Sequence, residues 1–536
     1  MKRFLFILLI LPLFSGCFLF NSFGRDDKEV STTVEVQQPG DVFLVKLNVS
    51  DDIVKGEKTG YVSGTSRSAS VEDKEYDTDR FIRKLNSNTN KSLIDYISSG
   101  ERSADRAATK ASGWSDRTFG NTEEFWSFVS TQKSGKSTIN VPGKITANLK
   151  RENDYCYVYA DNRLTSNEIT EKCKALGDIF ANCYLKETGI LGNPQYYDYN
   201  SNFYVPCNQK IVILVSDLFG DATENQVKGT VGYFYSGDLL KQSFLDRIQN
   251  TGLNENSIYY THSNGCEIFY IDSQFLLERE NSVYSTLVHE FNHMINYVVK
   301  TLKKMLNESD YNKIFTDFGC EEWFTDMLAM TTEDMFQNFL GISDADSPKA
   351  RLPYFGLCYN YGFKSWDDDN VEDLIMYANT YAFGAFLARN FGGVNLIKEI
   401  AQNDYVNEMA ITKALQAIDP NTTYKDEKTG ITKHIDFKYA LRKFTLCVVN
   451  TDRDDVYSLN RSTAFKDGLG FKAIDIVSKI TYDGTQYQVP VTFKANQDGQ
   501  LDIYPTGFTV HYVGHNLSSF TFCTTNMDDL EYYVVQ

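Results

Sequence analysis

The chain reads as an α+β protein: a mixed sheet with helices packed on it, then a helical subdomain, flanked by small β modules. Three patterns predict this. Strand-like apolar runs alternate with helical periodicity from about Lys144 to 300, and residues 305 to about 450 are mostly helical in pattern. From about Ile474, short alternating runs are separated by Asp483-Gly484 and Asp498-Gly499 turns, the signature of a β-sandwich. Composition divides the chain into a leader (1–16), a polar tether (17–35), a β and loop-rich module (36–140), a main body (141–465) and a C-terminal β module (466–536).

The leader begins Met1-Lys2-Arg3, continues as an apolar run from Phe4 to Phe14, and ends Ser15-Gly16-Cys17. A basic start, a short apolar stretch and small residues before a cleavage point describe a secretory signal, too short to span a bilayer. Cysteine directly after Ser-Gly resembles a bacterial lipobox, with Phe14 where leucine is commoner. Lipid on Cys17 would tether the mature chain to the cell membrane or outer membrane of a bacterium, facing the periplasm or the outside. A cleaved signal with an incidental cysteine is the alternative. The net charge of −18 argues against nucleic acid as a partner. Nine cysteines follow Cys17, an odd number that cannot all pair within the chain, and none forms Cys-x-x-Cys.

In the tethered part, Asp41 to Ser50 alternates in part and reads as a strand, and 51–135 is polar and loop-rich with a helical candidate near Asp79 to Ile97. In the main body, Tyr155–Tyr159 and Ile211–Val215 read as strands with a helix from about Ser166 to Thr188 between them. The strand Glu267 to Ile271 leads into a helix that starts near Asn281 or Ser282, both good caps.

That helix carries the most informative residues, His289-Glu290-Phe291-Asn292-His293. Two imidazoles four apart share one helical face and can reach one tetrahedral zinc ion, with the glutamate placed to take a proton from a bound water. With six histidines in 536 residues, chance supplies such a motif roughly 0.004 times. The bland alternative is a pair of core histidines. Against it, Val283, Leu287, Phe291, Met294, Ile295, Val298 and Leu302 form one apolar arc, and His289 and His293 project from the other side.

Zinc needs a third protein ligand. Glu322 and Asp326 are also four apart, so Glu322 could bind the metal while Asp326 accepts the outer N–H of a ligand histidine. Glu321 competes for the ligand role, but the residue four beyond it is Thr325, which cannot serve as an anionic orienter.

His289 to His293 followed by Glu-x-x-x-Asp resembles the gluzincin metallopeptidases, and His-Glu-Phe-Asn-His-Met-Ile-Asn with Glu-Trp-Phe-Thr-Asp-Met-Leu-Ala-Met is similar to the hyicolysin family of bacterial zinc peptidases. The likeness covers about residues 145 to 450, and that family carries Gln where this chain has Asn292. It implies a gluzincin-like catalytic domain acting on protein or peptide substrates. Tyr381-Ala-Phe-Gly384 looks like the Tyr-x-x-Gly helix of several gluzincins, which implies that Tyr381 donates to the oxyanion.

The sequence therefore predicts an exported, membrane-anchored zinc endopeptidase with His289, His293 and Glu322 as ligands, Glu290 as general base and Tyr381 as oxyanion donor. Two alternatives remain open: an adhesive surface lipoprotein on a peptidase scaffold, and a zinc amidase acting on cell-wall peptides. His511 and His515 repeat the four-residue spacing, but on a strand they stand about 13 Å apart, too far for one metal. Asp367-Asp368-Asp369 reads as a solvated acidic loop, with structural calcium as the alternative.

Overall fold

A computed structural model describes residues 7–9, 30–36, 39–58, 78–98, 118–134, 137–195, 204–205, 208, 210–221, 229–249, 262–303, 319–366, 371–426, 430–482, 484–494, 500–524 and 529–536. Cys17 and Asp367 to Asp369 lie outside these.

Strands β1 (Val30–Glu35), β2 (Asp41–Asn48) and β3 (Val54–Lys58) precede helix α1 (Thr78–Ser98). Two long strands follow, β4 (Thr122–Ser134) and β5 (Ser137–Glu152), then β6 (Cys156–Asp161), α2 (Asn167–Leu191), β7 (Ile211–Ser216), β8 (Gly232–Phe234) and β9 (Ile268–Asp272). The helical part contains α3 (Glu280–Asn296), α4 (Glu322–Leu340) and α5 (Asp373–Phe391), and the chain closes with β10 (Gln500–Ile503), β11 (Phe508–His515), β12 (Ser519–Thr524) and β13 (Leu530–Val535).

The central sheet has the order β4-β5-β6-β7-β9-β8 and is mixed, with β6, β7 and β9 parallel and β8 antiparallel on the outer edge. Because strand side chains alternate between faces, Ile213, Val215, Phe269 and Ile271 pack with α2 and α3. Val212, Leu214, Ile268 and Tyr270 face a second cluster with Phe125 and Phe128. Burial on both faces explains why β7 and β9 read as continuous apolar runs.

Residues 122–134, expected to be loop-rich, form β4, which pairs with β5. The boundary expected at 140/141 falls inside β5. The two terminal β modules are built together: β2 lies between β11 and β13, β1 pairs with β12 and β3 with β10. One apolar cluster, including Val34, Leu44, Val54, Ile503 and Phe522, unites them. Local alternation reveals strands but not partners more than 440 residues away. On β11, His511 bonds Thr509 Oγ1 at 2.8 Å and His515 bonds Asp41 at 2.9 Å.

Among the described residues, no helix is long and apolar enough to cross a membrane. Seven cysteines whose side chains are described (Cys156, Cys173, Cys183, Cys266, Cys320, Cys358 and Cys447) are free thiols.

Candidate metal centre

The end of β9 sets the position of α3. Asp272 caps the short helix Ser273–Glu278, accepting from Gln274 N at 2.8 Å and Phe275 N at 2.9 Å, while its other oxygen accepts from Leu218 N. Burial lifts its pKa to about 6 against these bonds. The next helix, α3, buries Val283, Leu287, Phe291, Met294 and Ile295 completely, as the apolar arc predicts. It also runs close beside the sheet edge. A Cβ at Gly232 would stand 2.9 Å from Thr286 Cγ2 and 2.7 Å from Tyr270 O, so this approach requires glycine.

His289 and His293 leave the opposite side of α3 and point together, their Nε2 atoms 2.9 Å apart. Asp326 Oδ1 lies 3.7 Å from the first and 3.8 Å from the second. Around a tetrahedral zinc with bonds of about 2.0–2.2 Å, ligand atoms stand roughly 3.3–3.5 Å apart. The triangle differs from that by a few tenths of an ångström. Among the described residues this is the one trio of metal-capable side chains whose ligand atoms all lie within 4.8 Å of one another.

Behind His289, its Nδ1 meets Glu333 Oε1 at 2.7 Å, and Ser285 Oγ donates to Glu333 Oε2 at 2.5 Å. An Nδ1–H donated to a carboxylate leaves the Nε2 lone pair facing the centre, the tautomer a metal requires.

Burial disfavours charge on both imidazoles. In His289 the bonds to Asp326 and Glu333 outweigh it and raise the pKa well above the ordinary value. In His293 burial, reinforced by charge on His289, draws it down to about 4. Burial also opposes the carboxylates of Asp326 and Glu333, yet the bonds to His289 hold both below the usual range. Two imidazoles sharing one proton between carboxylates form a centre where a cation can replace that proton.

Glu290 is 6 % exposed and lines the same cleft, of about 410 Å³, as both histidines, Glu322 and Asp326. Glu322 is not part of the close trio. Its Oε2 lies 3.7 Å from Arg83 Nε, and Asp326, one turn further along α4, faces the imidazoles. The expected orienting role at His289 Nδ1 is filled by Glu333, seven residues beyond Asp326 on the same helix face.

Tyr381 is fully buried and does not line the cleft. Burial lifts its pKa well above the ordinary value, with Asp334 adding to the effect and Arg389 opposing it. Its Gly384 serves packing, because a Cβ there would meet Thr331 Oγ1 at 2.2 Å where α5 crosses α4. One turn earlier, Tyr377 does line the cleft and accepts a hydrogen bond from Arg83.

Glu333, Arg83 and Tyr377 escape a reading of the sequence alone. The signal available for Glu333 is its seven-residue spacing from Asp326, two turns along one face. Arg83 sits more than 200 residues from the motif, and nothing local marks it.

No family model matches the chain. It is similar to a neutral metalloprotease, ShpI, of Staphylococcus hyicus, with 26% identity over 256 residues. The alignment covers 44% of this chain and 49% of that protein, so the chain spans about half the length of the curated relative it matches.

Proposed function

We propose that the protein is an exported zinc endopeptidase, held to a membrane through lipid on Cys17. The observation that carries this reading is the meeting of His289, His293 and Asp326 beside Glu290 in one cleft. Two imidazole nitrogens and a carboxylate oxygen, with an open side toward the cleft, are a donor set that fits catalytic zinc. When bound, zinc supplies Lewis acidity and lowers the pKa of coordinated water.

The chain's own residues do the rest. Glu290 accepts the proton of the attacking water and returns it to the leaving amine. Glu333 fixes the His289 ring, and Ser285 fixes Glu333. Asp326 takes the third position in the arrangement seen. Glu322 is the ligand that the gluzincin resemblance implies, and it stands in the same cleft. The likeness to a metalloprotease supports peptides as substrate over an adhesive role.

The test is Glu290→Gln, which keeps shape and removes the base. It should retain one zinc and lose casein cleavage by about 10²- to 10⁴-fold. Undiminished cleavage would remove the mechanism. Cleavage of peptidoglycan peptides without casein cleavage would favour the amidase.

A further inference from the structure

The cleft is roofed by a helix from far up the chain. Helix α1 crosses from the sheet side to the helical side, and its contacts lie where an extended substrate would bind. On the sheet side, Asn86 Nδ2 donates to Phe234 O at 2.8 Å, and Asn86 Oδ1 accepts from Ser236 N at 2.8 Å. Phe234 is the last residue of the outer edge strand β8, which pairs only with β9 among the described residues. Edge-strand carbonyls and amides are the groups that an incoming peptide pairs with, and one side-chain amide satisfies a carbonyl and an amide at once, as a peptide unit would.

On the helical side, Arg83 NH2 meets Asp373 Oδ2 at 2.6 Å, its Nε lies 3.7 Å from Glu322, and its guanidinium stacks over Trp366 and Tyr377. Arg80 adds a longer contact to Asp373 at 3.6 Å. The helix therefore spans the metal centre from wall to wall. The cleft beneath it has a volume of about 410 Å³, and Ile82, Arg83, Asn86, Ser87, Asn90 and Lys91 of α1 line it.

We infer that α1 is an autoinhibitory strap: it occupies the polypeptide-binding edge of the cleft and must move for a protein substrate to enter. Its attachment is both apolar and polar: Ile82 and Leu93 are buried, Phe81 and Leu85 pack against the cluster on the sheet, and Asn86 and Arg83 make the polar contacts, so opening must undo both. Arg83 also stands 3.7 Å from Glu322, so the same movement takes a positive charge away from a carboxylate that lines the cleft.

The inference rests on the peptidase reading, and its test separates the two. In the full zinc-loaded chain, the double variant Arg83→Ala, Asn86→Ala is compared with wild type on casein and on a five-residue fluorogenic peptide. Asn86→Asp serves as a milder second variant, which sets a carboxylate against the Phe234 carbonyl. The ratio of casein to short-peptide cleavage should rise at least about tenfold as the open population grows. A ratio that stays level or falls, in variants with wild-type melting and zinc content, overturns the strap. Binding of a polypeptide-linked hydroxamate to the same proteins gives a readout without turnover. Tighter binding by the variants with no cleavage by any form would sustain the strap and defeat the peptidase reading. No gain in either binding or cleavage defeats the strap.

Discussion

Glu333 Oε1 stands 2.7 Å from His289 Nδ1, on the side of the ring away from the metal centre. The carboxylate belongs to α4 and the imidazole to α3, so this bond, with those of Ser285 to Glu333 and Asn292 to Thr332, ties the helix carrying the paired histidines to the helix carrying Asp326. Glu333→Gln keeps the shape but replaces an anionic acceptor with a neutral one. Zinc affinity should fall about 10- to 100-fold, the cost typical of losing such a partner. A competition titration with a chelator measures it, and unchanged affinity would contradict the role.

Tyr381 sits in the packed contact between α4 and α5, near a buried ion pair of Arg389 and Asp334 at 2.7 Å. Its hydroxyl is buried with no hydrogen-bond partner among the described residues, so Tyr381→Phe should leave stability unchanged within about 1 kcal/mol or raise it, and leave kcat within about threefold of wild type. A donor to the oxyanion would cost about 10²-fold or more in kcat instead. Urea melts and steady-state kinetics on one preparation decide between these.

The two histidines predict how the metal-free protein responds to pH. His293 has a pKa near 4 when folded, against an ordinary 6.5, so between those values the unfolded chain binds more protons. Stability from this residue is present above 6.5 and declines as pH falls toward 4. His289 is shifted the other way, so its contribution is full below 6.5 and is lost as pH rises through its elevated pKa. Their joint contribution peaks between the two losses, near 6.5. Melts in chelator from pH 4.5 to 8, compared with His289→Ala and His293→Ala, should show the pair's contribution falling on both sides. A contribution flat across that range would refute the shared-proton arrangement.

Legibility in the sequence followed the range of the interactions. The metal helix was readable because periodicity of about 100° per residue separates Val283, Leu287 and Phe291 from His289 and His293 within four turns. The parallel strands Ile211–Ser216 and Ile268–Asp272 announced themselves as apolar runs. Between Glu322 and Asp326, spacing placed both on one face but could not say which reaches the centre, since that depends on how α4 crosses α3. Tyr381 and Tyr377 share a face in the same way, yet Tyr377 lines the cleft and Tyr381 does not. The pairing of β1, β2 and β3 with the last strands, and the arrival of α1 over the cleft, join segments with no local trace of each other.

The most direct test of the account is diffraction at the zinc edge from crystals of the zinc-loaded protein. A single anomalous peak about 2.0–2.2 Å from the Nε2 atoms of His289 and His293 and from a carboxylate oxygen of Asp326 is the predicted result. The same peak coordinated by Glu322 would keep the centre and reassign its third ligand. Absence of any peak between the two imidazoles at full zinc occupancy would contradict the account.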